Sequence, residues 1–416
     1  MTGGLEVADV FRDGESNFLA QYGRMLSREQ RQVMRAILQC RTAALGGHVQ
    51  SCGECGHQRI HYNSCRNRHC PKCQAMARAA WLQKRESELL PIPYFHVVFT
   101  LPHELAPLAL QNKRVMYDIL FRAAADTLLQ LAGDPKHLGA TIGCLMVLHT
   151  WGQNLMHHPH VHCVTTGGGL SPDGSRWIPV RRSQRSGREF FLPVRVLSRV
   201  YRGKFIQALK QAFADGRLNF HGRWESHAHP ERFEQLLNAA VKKDWVVYAK
   251  RPFGGPQQVL KYLARYTHRV AISNQRLFQL CDGQVSFGYK DYADGQENKV
   301  MTLSTSEFIR RFLMHTLPSH FVRIRYCGFL ANRYRSERLA HCRRLLEVAT
   351  APDLPTDQVE MNTESPDEPC LSEMCPACGR KSLVVIEVIP ATKHLPPRRP
   401  YILIRHSPNT VCFDTS

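Results

Sequence analysis

Long apolar runs are missing from this sequence. No stretch approaches the roughly 20 consecutive apolar residues that span a bilayer, so no membrane-spanning helix is expected. No secretory signal is expected either, because residues 1–16 carry Glu6, Asp9, Asp13 and Glu15. The expectation is a cytoplasmic protein. Negative charge is also in short supply, with 35 Asp and Glu against 55 Lys and Arg, a formal charge of +20 and a pI near 9.6. Such an imbalance turns a surface toward polyanions. Nucleic acid comes first among these, since counterion release rewards each cation that neutralises a phosphate. The plainer alternative is a basic surface that is simply solvated.

With no export signal, the fifteen cysteines read as metal ligands in a reducing compartment rather than as disulfides. They cluster in Cys-x-x-Cys pairs. Residues 27–41 form a predicted helix, with Ser27 and Gln30 as a capping box and Val33, Ile37 and Leu38 as its apolar face. Next come Cys52-x-x-Cys55 and Cys70-x-x-Cys73. If the loop between them folds back, the two pairs close one tetrahedral structural Zn²⁺ site. Cys65, His57, His61 and His69 are further candidate ligands there. Arg66, Arg68 and Lys72 give the same loop a DNA-facing or a purely structural use. A helix is expected over 74–90.

The central region alternates strands and helices: a strand over 94–100, a helix over 112–131 and an apolar strand over 142–151. Residues 157–169 then read as a strand with three glycines at its end. Side chains alternate along a strand, so His160 and His162 share one face while Val161 takes the other. Pairing of this strand with 142–151 in an antiparallel hairpin brings His149 within reach as a third imidazole. Gln153, His157 and His158 compete for that role. Arg181, Arg182, Arg185 and Arg188 lie in a basic loop. Helices over 196–214 and 231–243 and a strand over 245–248 follow.

Residues 254–269 form a predicted helix in which Tyr262 and Tyr266, four apart, stack on one face. They sit at the seam between the apolar Val259, Leu260 and Leu263 and a basic side with Lys261, Arg265 and Arg269. An amphipathic helix whose tyrosines cap a core edge fits this pattern as well. Further expected elements are a strand over 269–273, a hairpin around Asp282-Gly283, a further turn and strand around Asp294-Gly295, and a helix opened by a Ser304/Glu307 capping box. A basic helix covers 332–347. Residues 351–369 are acidic and Pro-rich, a linker that does not pack. Beyond it stands Cys375-x-x-Cys378, a candidate small zinc site with Cys370, His394 and Cys412 as remote additional ligands.

Two imidazoles on a strand, a third near them and paired tyrosines in a basic chain admit one specific chemistry. A tyrosyl oxygen attacks a phosphodiester, leaving a 5′-phosphotyrosine and a free 3′-OH, with a divalent ion stabilising the in-line transition state. His160-Val161-His162 resembles the HUH motif, and Tyr262-x-x-x-Tyr266 resembles the paired tyrosines of two-tyrosine HUH enzymes. Together with residues 63–73 and 265–274, they make the chain similar to the insertion-sequence-91 family of rolling-circle transposases, over about 15–347. The resemblance implies an α+β fold, an HUH-type antiparallel sheet with packed helices behind an N-terminal helical and zinc-ribbon segment. It also implies transposition through single-stranded DNA at element ends and target, with Mg²⁺ or Mn²⁺ at His160 and His162, Tyr262 and Tyr266 as nucleophiles, and no membrane or nucleoside triphosphate involved. In a bacterial cell such a protein works at the nucleoid. The third metal ligand is not fixed by the motif. The expected partition is 1–92 zinc-binding, 93–348 nuclease, 349–372 linker and 373–416 cysteine-knuckle tail. A plasmid replication initiator or conjugative relaxase would share the chemistry, and a zinc-dependent DNA-binding regulator would lack it.

Overall fold

The computed structural model describes residues 4–74, 81, 85–86, 88–182, 189–250, 258, 271–291, 295, 297–346 and 374–392. The chain divides into two compact units, 1–37 with 65–369, and 38–64 with 370–416. The first helix, α1 (Val7–Tyr22), belongs to the first unit, where Phe11 meets Phe312 edge to face at 5.4 Å. The hairpin around residue 55 joins the C-terminal tail instead.

The first unit is built on an antiparallel sheet in the order β13-β4-β5-β3-β9. These strands are Ile324–Gly328, Thr141–Trp151, His157–Leu170, Tyr94–Thr100 and Val247–Lys250 respectively. Alternation sorts their side chains into two layers. Phe95, Val97 and Phe99 of β3, Met146 and Leu148 of β4, and Val161 and Cys163 of β5 enter one core. That core is closed by α4 (Lys113–Gly133) and α5 (Val194–Ala214) through Leu120, Leu128, Leu197, Tyr201 and Phe205. The short α3 (Ala106–Gln111) and α6 (Pro230–Val241) add Leu108, Phe233 and Leu237 to it. Each large apolar side chain buried here contributes about 1.5–3 kcal/mol. The opposite layer holds Tyr94, Leu145, Val147 and Val164, covered in part by Phe329 and by Leu339 of α8 (Arg335–Leu345).

Strand β5 does not stop at its glycines but runs through them to Leu170, where it also pairs β6 (Trp177–Pro179). A Cβ at Gly169 would lie 2.3 Å from the Thr141 carbonyl oxygen, so the glycine is what lets β4 and β5 approach there. The basic loop begins in β7 (Arg181–Arg182), which pairs with β8 (Glu189–Phe190). A second sheet, β10-β11-β12 (Leu277–Cys281, Gln284–Asp291, Glu297–Ser304), leads into α7 (Thr305–Met314). The Ser304 hydroxyl caps that helix by accepting from the Glu307 N–H at 3.2 Å. The Glu307 carboxylate does not complete a capping box; it holds Arg310 and Arg311, each at 2.6 Å. The full box occurs on α2 (Arg28–Gln39), where Ser27 and Gln30 bond reciprocally at 3.0 and 3.2 Å.

The second unit is a three-stranded sheet, β14-β1-β2, made of Leu383–Ile389, Gly47–Cys52 and Gln58–Tyr62. No helix among the described residues is long and apolar enough to cross a membrane. The expected helix over 74–90 lies largely outside the described residues, and the one over 254–269 almost wholly so. Of the expected strand over 269–273, the described part, 271–273, is not a strand.

Candidate metal centre

His160 and His162 lie on β5 with β4 on one side and β3 on the other. His149 of β4 stands directly across from His160, while His162 faces Val147 on β4 and Val98 on β3. All three imidazoles project from the face opposite α4 and α5. One ligand nitrogen from each lies within 4.8 Å of those of the other two. His149 and His162 are buried and His160 is half-buried. Trp151 stacks on His149 at 4.8 Å, backing the cluster with an aromatic wall.

Hydrogen bonds fix which nitrogen each β5 imidazole presents. His160 donates from Nδ1 to the His158 carbonyl oxygen at 2.7 Å, which leaves the Nε2 lone pair as its ligand atom. His162 Nδ1 meets His96 Nε2 at 2.8 Å, the two rings lying edge to edge and nearly coplanar with their centroids 5.0 Å apart. With His162 donating and His96 accepting, His162 also turns Nε2 to the cluster. Burial pushes the His160 pKa down to about 3, with the neighbouring His158 adding to the effect. His162 is held well below the ordinary range by burial and then by His149, His160 and His96. Burial likewise takes His96 down to about 4. At neutral pH His160 and His162 are therefore uncharged nitrogen donors, which is the form that binds a divalent cation.

Neither His157 nor His158 joins the cluster. His157 points into the helical core, where its Nε2 meets the Tyr117 hydroxyl at 2.9 Å. His158 is exposed and contributes its carbonyl to His160. Gln153 sits in the turn between β4 and β5, and its carbonyl accepts from Arg276 at 2.7 Å. His96 escaped the reading of the sequence. Its partner lies 66 positions away, on a strand whose pairing with β3 no local pattern announces. Tyr262 and Tyr266, with Lys261, Arg265 and Arg269, lie outside the described residues.

The cysteines regroup. Cys52, Cys55, Cys70 and Cys73 do not form the one site that their spacing predicts. The loop expected to fold back becomes β2, antiparallel to β1, and carries the chain out of the knuckle. In the second unit Cys52 and Cys55 gather with Cys375 and Cys378, all four sulfurs within 4.8 Å of one another. In the first unit Cys70 and Cys73 converge with Cys65, whose sulfur lies 3.6 Å from that of Cys73. Two of the cations of that loop, Arg68 and Lys72, serve the fold. Arg68 donates to the Phe321 and Pro318 carbonyls at 2.6 and 2.8 Å, and Lys72 pairs with Glu6 at 2.7 Å. His69 accepts from the Leu317 N–H at 3.1 Å and is buried as a structural imidazole. Cys370, His394 and Cys412 lie outside the described residues.

Comparison with known proteins places this architecture. A family described as "Putative transposase" matches residues 143–338, and a family described as "Transposase zinc-binding domain", named for IS91, matches residues 10–101. The "Putative transposase y4qJ" of Sinorhizobium fredii is 51% identical over 415 residues, covering 99% of each chain. The "Transposase for insertion sequence element IS801" of Pseudomonas savastanoi pv. phaseolicola is 32% identical over 318 residues, 76% of this chain and 73% of its own. Among solved structures, a metal-bound conjugative relaxase TrwC in complex with oriT DNA matches 42% of this chain and 70% of its own. Its identity is 13% and its TM-score 0.21, too distant a likeness to specify geometry. The matched zinc-binding segment and the gathered thiols make this a zinc protein. The chain belongs to the insertion-sequence-91 family of rolling-circle transposases.

Proposed function

We propose that this transposase nicks and rejoins single-stranded DNA through a 5′-phosphotyrosine, with Tyr262 and Tyr266 as nucleophiles and His149, His160 and His162 as the ligands of Mg²⁺ or Mn²⁺. The observation that carries the reading is the convergence of three imidazoles from adjacent strands on one sheet face. The three nitrogens fit a divalent ion. When bound, it supplies positive charge to the phosphate oxygens of an in-line displacement.

The chain's own groups do the rest. A tyrosyl oxygen attacks the phosphorus, the bond to the 3′ oxygen breaks, and that oxygen takes a proton to leave as a 3′-OH. A later 3′-OH reverses the exchange and releases the tyrosine. One ester replaces another at each step, so joining requires no nucleoside triphosphate. Two tyrosines hold two strands in succession. His158 and His96 orient the metal-binding imidazoles, while Lys261, Arg265 and Arg269 neutralise the strand beside the tyrosines. In this reading the nuclease region spans 93–348, and the protein acts on element ends and target in the bacterial cytoplasm, at the nucleoid.

The test is incubation with single-stranded DNA carrying an element end, in the presence of Mg²⁺. Wild-type protein should form an adduct that survives denaturation, and the Tyr262→Phe/Tyr266→Phe variant should form none while still binding DNA. An adduct from the double variant would overturn the tyrosine assignment. His160→Ala should lose nicking and keep salt-sensitive binding; full nicking by that variant would remove His160 from the metal site.

A further inference from the structure

We infer that Cys52, Cys55, Cys375 and Cys378 bind a single Zn²⁺, so that the zinc-binding region at the N-terminal end is completed by the opposite end of the chain. The matched zinc-binding segment stops at residue 101, well before the second pair. Both pairs belong to the second compact unit.

The two pairs are copies of one local structure. Each reads Cys-x-x-Cys-Gly. In the first, Gly56 donates to the Cys52 carbonyl at 2.9 Å, and Cys52 donates to the His57 carbonyl at 2.9 Å. In the second, Gly379 donates to the Cys375 carbonyl and Cys375 to the Arg380 carbonyl, both at 2.8 Å. The glycines carry φ of +70° and +72°, a left-handed turn that bends the backbone around its own two sulfurs. Cys70-Pro-Lys-Cys73 has Gln74 in that place and continues into a helical turn, so it is a knuckle of another kind.

Strand pairing sets the two copies face to face. Cys52 ends β1 opposite Leu383, which begins β14, and Gly53 donates to the Ser382 carbonyl at 2.8 Å. The sulfurs then pair crosswise, Cys52 with Cys378 and Cys55 with Cys375, each at 3.6 Å. That separation is far beyond the ~2.05 Å of a disulfide. It is close to the ~3.8 Å edge of a tetrahedron of sulfurs with Zn–S bonds of ~2.3 Å. Four thiolates and no open position make the site structural rather than catalytic.

Thiol labelling of the full-length wild-type protein tests this directly. Cys55 and Cys378 are exposed, so without a metal an alkylating reagent should reach them readily. The expected result is joint protection of all four cysteines, and joint loss of that protection at one chelator concentration. Labelling of Cys375 and Cys378 while Cys52 and Cys55 stay protected would overturn the inference, as would ready labelling of all four before chelation. Zinc content gives the second arm. Cys52→Ser/Cys55→Ser, Cys375→Ser/Cys378→Ser and the quadruple variant should each lose the same one equivalent per chain. Cys378→His should keep it, because an imidazole can replace a thiolate. A quadruple variant that loses two equivalents, one per pair, would mean two separate sites.

Discussion

Replacing His96 by phenylalanine isolates what a residue outside the ligand set contributes to the metal centre. Phenylalanine keeps a flat ring edge to edge with His162, where the centroids are 5.0 Å apart, but removes the nitrogen that meets His162 Nδ1 at 2.8 Å. His162 then has a buried N–H without its acceptor, at a cost of about 1–3 kcal/mol, unless it changes tautomer or swings. Either escape takes Nε2 away from the cluster. Supporting hydrogen bonds of this kind are worth about 10- to 100-fold in metal affinity, equivalent to roughly 1.4–2.7 kcal/mol, in line with the cost of the orphaned donor. The expected outcome is a Mn²⁺ dissociation constant raised by that factor, measured by titration of the zinc-loaded protein. Nicking of single-stranded DNA should need proportionately more Mn²⁺ yet reach the wild-type plateau, because His96 orients a ligand and touches no substrate. His96→Gln, which restores an acceptor, should recover most of the affinity. An unchanged Mn²⁺ midpoint for His96→Phe, or equal losses in the Phe and Gln variants, would refute the reasoning.

Acid should destabilise the fold well before its carboxylates titrate: burial holds His315 and His69 at about 3. Both stay neutral when folded and take protons when unfolded, so their contribution is full above pH ~6.5 and is lost as pH falls toward 3, by roughly 4 kcal/mol for the pair at pH 5. Equal urea midpoints at pH 7.5 and pH 5 would contradict this. Gly169→Ala should cost about 1–3 kcal/mol in urea unfolding, since its new Cβ meets the Thr141 carbonyl at 2.3 Å and β4 has to yield; an unchanged midpoint would mean the strands are not so tightly apposed. His149→Ala should weaken Mn²⁺ binding, whereas His157→Phe should lower stability through the lost Tyr117 contact and leave Mn²⁺ affinity unchanged. The reverse pattern would exchange their roles.

What was legible in the sequence follows the range of the interactions that decide it. Strand β3 was readable to the residue, because alternating Phe95, Val97 and Phe99 write the two-residue period into seven positions. The place of His149 was readable because β4 and β5 are joined by a short turn, and a hairpin transmits register across few residues. His96 obeys the same period but needs β3 to pair with β5, a contact between distant segments that alternation alone does not choose among. The cysteines make the same point more sharply. Spacing along the chain favoured joining Cys52 and Cys55 to Cys70 and Cys73, the nearer pair. The structure joins them to Cys375 and Cys378, more than 300 residues away, because β1 pairs with β14. The local clue was the glycine after each second cysteine, shared by the pairs that meet and absent after Cys73. A Cys-x-x-Cys pair fixes only half a tetrahedron, and the backbone turn around it says which other half it can face. Matching knuckle conformation is therefore a better guide to a shared ion than proximity in sequence, and joint chelator-dependent exposure of the four thiols is where that rule succeeds or fails for this transposase.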